Sequence, residues 1–105
     1  ASSQTISEAF SALAHPSRVD ILLALMPHAA SGLSAGDLAK TTHIPPSTLA
    51  HHLREMEAGR VIERIAVGRK TIVKPNLNSL SNIAGLINNF AAQPKDHQNT
   101  KENPV

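Results

Sequence analysis

Between residues 45 and 67 the apolar pattern changes period across one glycine, and this change constrains the fold more than any other feature of the chain. The stretch reads PPSTLAHHLREMEAGRVIERIAV. Up to Ala58 the apolar residues Leu49, Leu53 and Met56 recur at helical spacing. After Gly59 apolar and polar residues alternate and Val and Ile dominate, the pattern of a strand. A helix therefore runs from about Pro46 to Ala58, with Pro46 in a first turn that needs no donor. Gly59 fits the left-handed position past the helix end. RVIERIAV and KTIVKP then form a two-stranded hairpin around Val67–Gly68–Arg69, with a glycine turn and a basic tip.

The flanking segments are helical. Ile6, Ala9, Phe10 and Leu13 put one apolar face on a helix over about Thr5 to Ala14. Pro16 breaks it, because the residue before a proline resists the helical region, and opens a second helix. Val19, Leu22, Leu23 and Met26 line that helix, which ends near Pro27. Ser34 to Asp37 has the form S-x-x-D, which opens a short third helix to about Thr41. Only THIP separates it from the helix at Pro46, which is helix-turn-helix spacing with the longer helix second. After Pro75 and Asn76 a fifth helix spans about Asn78 to Ala91, with Leu80, Ile83, Ala84, Ile87 and Phe90 on one face. The reading is an α+β fold, mainly α, of about five helices with a two-stranded β-hairpin wing. One domain fills residues 1–92, and the polar remainder, residues 93–105, is expected to be disordered.

Composition excludes several functions. Aromatic residues make up 2 % of the chain, only Phe10 and Phe90. The core must be aliphatic, and stacking platforms for single-stranded nucleic acid are missing. The absence of cysteine removes disulfides, thiolate metal sites and thiol nucleophiles. No phosphate-binding glycine loop or nucleophile–base arrangement is visible, so no catalytic residue and no cofactor is expected. No secretion signal or membrane-length apolar run is read, and a soluble, cytoplasmic protein without a membrane partner is expected. The net charge is only +2. The cations, however, concentrate at Arg54, Arg60, Arg64, Arg69, Lys70 and Lys74, a footprint suited to nucleic acid.

Residues of the helix at Pro46 lie about 100° apart around its axis. Leu49, Leu53 and Met56 then face the core, and Ser47, His51, Arg54 and Ala58 face away, flanked by Thr48 and Glu55. Adjacent histidines do not share a helix face, so His51 and His52 neither chelate one metal nor form a catalytic pair. His52 falls on the edge of the buried stripe and steadies the helix. Ser47 and Thr48 are short enough for close approach to a major groove, where His51 reaches a base edge or phosphate and Arg54 a phosphate. Arg69 and Lys70 at the hairpin tip suit the backbone or minor groove beside it. His15 reads as a capping or interface residue, His28 suits a helix C-terminus, and His43 lies in the turn near a phosphate. His97 belongs to the tail.

FSALAHPSRVDILLAL, LSAGDLAK and IPPSTLAHHLREMEAGRVIERIAVGRKTIV, in this order and spacing, resemble the arsenic-repressor (ArsR-type) winged helix-turn-helix regulators over roughly residues 8 to 90. The resemblance implies a homodimer that represses by occupying an inverted-repeat operator in double-stranded DNA. It also implies dimerisation through the first and last helices, for which Ile6, Phe10, Leu13, Leu80, Ile83, Ile87 and Phe90 are the candidates. The family's metal-sensing cysteines have no counterpart in Leu33-Ser34-Ala35-Gly36-Asp37-Leu38, and the segment from Asn78 to Phe90 holds neither Asp nor His. No metal ligands are therefore assigned, and any effector is unknown. Two alternatives stay open: an interaction module for a protein or small effector, and a repressor that senses metal through histidine and carboxylate ligands.

Overall fold

The computed structural model describes residues 2–94. The elements are α1 (Ser3–Leu13), α2 (Pro16–Leu25), a 3-10 turn (Met26–His28), β1 (Leu33–Ser34), α3 (Ala35–Thr42), α4 (Pro46–Ala58), β2 (Ile62–Val67), β3 (Lys70–Pro75) and α5 (Leu77–Ala91). The expected tail lies, from residue 95 onward, outside the described residues. Among the described residues no helix is long and apolar enough to cross a membrane.

Side chains set the helix starts. Ser2, His15, Ser34 and Asn76 each accept a hydrogen bond from a backbone N–H in the first turn of α1, α2, α3 and α5. Ser2 thereby starts α1 two residues earlier than the apolar period alone predicts. α2 ends at Leu25, and Pro27 sits inside the 3-10 turn rather than terminating an α-helix.

The sheet has three strands in the order β1-β3-β2, all antiparallel. The hairpin expectation holds for β2 and β3, whose register ends at Val67↔Lys70 around a two-residue loop. Gly68 takes φ +61° at the first loop position, which only glycine adopts readily. Sequence reading missed β1. Its Leu33 and Ser34 pair with Val73 and Ile72 of β3. Two residues cannot display an alternation, so no periodic signal exists to find.

The core is aliphatic, as the composition requires. Ile21 and Leu25 of α2, Leu38 of α3, Leu49, Leu53 and Met56 of α4, and Val61, Ile62 and Val73 of the hairpin are buried together. α1 contributes Ala9 and Ala12, and α5 contributes Ile83. Both phenylalanines stay outside this core, Phe10 at 43 % and Phe90 at 73 % exposure.

The end of α4 departs from expectation. Gly59 is right-handed, at φ −80° and ψ 0°, and the left-handed residue is Arg60, at φ +63°. The Arg60 N–H donates to the Glu57 carbonyl at 2.9 Å and the Val61 N–H to that of Met56 at 3.0 Å. This pair of bonds satisfies the last carbonyls of the helix, with Val61 and Met56 packed as its apolar contact. Glycine is needed at 59 for proximity, not for its torsion angles. A Cβ there would lie 2.5 Å from the Ala12 Cβ and 2.8 Å from the Glu8 carbonyl oxygen. Gly59 thus sets how closely α1 approaches α4.

Gly59→Ala separates the two explanations. At a right-handed site alanine gains about 1 kcal/mol over glycine in helix propensity. Overpacking against α1 costs about 1–3 kcal/mol. The packing term is expected to win, lowering the urea midpoint at unchanged slope. A raised midpoint would show that α1 does not press on this residue.

Candidate nucleic-acid interface

α4 buries Leu49, Leu53 and Met56, each at most 2 % exposed. Ser47, Thr48, His51 and Arg54 are all solvent-exposed, as are Glu55 and Ala58. The structure thus brings the four predicted α4 residues together on one helix, outside the core. α4 also differs from the other α-helices at its start. Its N-cap is Pro45, no side chain caps it, and Pro46 occupies the first turn. The N–H groups of the exposed Ser47 and Thr48 therefore have no side-chain cap at the positive end of a 13-residue helix dipole. The sequence marked the prolines as a start signal, but the missing cap emerges only by contrast with the four capped helices.

Two polar contacts hold α4 from opposite flanks. On the wing side, Arg64 of β2 donates from Nη2 at 2.6 Å and Nε at 3.0 Å to the Glu57 Oε1. Arg64, one of the cations counted in the nucleic-acid footprint, is thus committed to a carboxylate on α4. On the other flank, the Arg18 Nε of α2 donates to the Nδ1 of His52 at 3.0 Å. Sequence reading gave Arg18 no role, since 34 residues separate it from its partner. The wing tip carries Arg69 and Lys70, both exposed. They lie at and just after the two-residue loop, on the same hairpin that Arg64 ties to α4.

The remaining predictions divide. Ile83 belongs to the core, and Leu13 and Leu80 pack against it. Ile6 is half-buried, whereas Phe10, Ile87 and Phe90 are exposed. His43 takes the left-handed position ending α3, at φ +59°, in the turn before α4. His15 caps α2, its Nδ1 accepting from the Ser17 N–H at 3.2 Å. His97 lies outside the described residues. Among the described residues no three His, Asp or Glu side chains are grouped to hold a metal ion.

His52 is the buried polar group of the site, 6 % exposed. The His15 ring centroid lies 4.7 Å from its own and that of His51 5.8 Å away. Because Nδ1 accepts from Arg18, the neutral ring carries its proton on Nε2, and a second proton would set two donors against each other. Burial, the Arg18 charge and the neighbouring His15 and His51 all hold its pKa below the ordinary 6.5. The unfolded chain then binds a proton that the folded chain refuses. Stability should fall as pH drops through 6.5 and level off only below the depressed folded pKa. His52→Gln should flatten this part of the profile. Thermal melts of both proteins between pH 7.5 and 5 test it, and parallel profiles would refute the assignment to His52.

The comparisons agree with this geometry. The model of the helix-turn-helix domain family matches residues 13–65, just over half of the chain. A comparison with curated proteins gives no significant match. Among solved structures, an ArsR-like transcriptional regulator from Rhodococcus sp. RHA1 is 25% identical, with a TM-score of 0.72 over 85% of this chain and 81% of that one. The transcriptional repressor PagR of Bacillus anthracis is also 25% identical, with a TM-score of 0.65 over 83% of this chain and 93% of its own. The homodimeric winged helix-turn-helix DNA-binding domain from Mycobacterium bovis is 18% identical, with a TM-score of 0.67 over 97% of this chain and 89% of its own, a likeness of fold. With its hairpin wing beside a partly exposed second helix, the chain belongs to the helix-turn-helix domain family as an ArsR-type winged helix-turn-helix transcriptional regulator, a DNA-binding protein and not an enzyme.

Proposed function

We propose that the chain is a homodimeric repressor that occupies an inverted-repeat operator and does not sense metals through thiols. The observation that carries this reading is the exposed side of α4. It combines short polar residues, a histidine and an arginine with a helix start that no side chain caps. Ser47 and Thr48 admit the helix into a major groove, and their free N–H groups suit a phosphate. His51 reads a base edge and Arg54 binds the backbone. Arg69 and Lys70 on the wing tip contact the backbone or minor groove alongside.

What the core leaves uncovered supports dimerisation. A chain with two aromatic residues exposes both, Phe10 on α1 and Phe90 on α5, and Ile87 is 50 % exposed. Large apolar side chains left in water on two terminal helices suit a second protomer. Half-buried Ile6 lies one turn before Phe10 on α1, while Leu13, Leu80 and Ile83 belong to or pack on the core. The Mycobacterium bovis domain of similar fold is homodimeric, which supports a dimer here without indicating its interface. The chain has no cysteine, so any inducer is recognised by other chemistry.

Selection from random duplexes should yield an inverted repeat, whose half-site spacing mirrors the dimer axis. Against that operator, His51→Ala should relax specificity at one base position per half-site. Arg69→Ala with Lys70→Ala should weaken all duplexes alike and reduce the salt slope by about 1 for each phosphate that is no longer neutralised. Binding isotherms at several salt concentrations decide between these patterns, and operator affinity untouched by either change would remove α4 and the wing as the DNA-reading surface. Phe90→Ser should leave the fold intact, give a monomer in light scattering and cost at least tenfold in operator affinity. A variant that stays dimeric would exclude the α5 face.

A further inference from the structure

None of the six side chains proposed to contact DNA lines a groove of about 700 Å³ between α3, α4 and the hairpin. Ala39, Ile44 and Leu49 give it apolar walls, and its charged or titratable lining groups are Lys40, His43 and Arg64. No carboxylate lines it, although Glu57 holds Arg64 nearby. A volume of several hundred Å³, mostly apolar and with a few convergent polar groups, has the character of a small-molecule site. The basic lining selects the charge of the occupant. A carboxylate is complementary to the exposed Lys40, whereas a cation would find no carboxylate in the lining, and Glu57 beside it is already paired with Arg64.

We infer that this groove binds a small apolar carboxylic acid, its hydrocarbon body against Ala39, Ile44 and Leu49 and its carboxylate toward Lys40 and Arg64. The Arg64 guanidinium gives Nε and Nη2 to Glu57. A second carboxylate competes for these donors or adds to Nη1. In either case it acts on the contact that ties the wing to α4. A carboxylate in the groove also places negative charge beside the surface that meets phosphates. Both effects oppose DNA binding, so the acid acts as an inducer. This last step rests on the proposed reading of DNA by α4 and the wing, whereas binding of the acid does not.

Three probes of one size and different charge test the site: 4-phenylbutyrate, 4-phenylbutan-1-ol and 4-phenylbutylamine. They are titrated into the DNA-free protein and followed by amide shifts. Phenylbutyrate is expected to shift the amides of Ala39, Lys40, Ile44 and Arg64 and to bind at least fivefold more tightly than the alcohol, with the amine weakest. Lys40→Ala should remove most of that preference, and Ala39→Leu should weaken the acid by filling the groove. Equal binding of the three probes, shifts confined to other surfaces, or an unchanged preference in Lys40→Ala would each overturn the site. Operator affinity is measured separately, first without probe and then with saturating phenylbutyrate, where a loss of at least fivefold is expected. Binding of the acid without that loss overturns the inducer role alone. Absence of operator binding before any probe is added counts against the DNA reading instead.

Discussion

The burial of Leu49, Leu53 and Met56 is the contact on which the rest of the structure depends. These three side chains fix the rotation of α4 about its axis, and rotation decides which residues reach a ligand. A turn of one residue, about 100°, would bury a polar side chain and carry Leu49 or Leu53 into water. Each exchange would cost roughly 1.5–3 kcal/mol for exposing the leucine. The apolar stripe therefore selects Ser47, His51 and Arg54 as the outward set without any contribution from those residues themselves.

Rotation about an axis does not fix the position of a helix, and three neighbours supply what is missing. The absent Cβ of Gly59 lets α1 close on the end of α4. Arg18 holds one flank through the Nδ1 of His52. Arg64 holds the other through Glu57 and so relates the wing to the helix. The two polar contacts differ in kind. His52 is buried, so losing its partner strands a desolvated group. The Arg64 and Glu57 side chains are 30% and 41% exposed, and an ion pair so placed contributes little to stability. The second contact can be exchanged at low cost, as would suit a joint between the two parts of the proposed DNA-binding surface. The first resists exchange, and histidine makes it sensitive to acid.

Much of this was legible in the sequence because period and punctuation are local. The change at Gly59 located α4 and the wing, and the histidines separated correctly because 100° per residue parts any adjacent pair. What escaped was of two kinds. β1 is too short to carry a period, and its pairing with β3 depends on residues about forty positions away. The pairings of Arg18 with His52 and of Arg64 with Glu57 were invisible because a partner brought close by folding leaves no mark in local spacing. Gly59 is the instructive case. Its residue type correctly announced a helix end, but the reason assigned was wrong. The left-handed step falls on Arg60, and the glycine is there for α1.

By itself, the sequence determined the helices, the hairpin, the outward face of α4 and an aliphatic core with no thiol chemistry. Each follows from side-chain volume, polarity and backbone preference within a few residues. Only the tertiary structure decided that both phenylalanines remain in water, that His52 is an acceptor for Arg18, that Arg64 belongs to Glu57, and that α3, α4 and the wing enclose a groove with a basic lining. Those outcomes depend on distances between segments far apart in the chain, which are set by packing density and by how closely small residues such as Ala12 and Gly59 let helices approach.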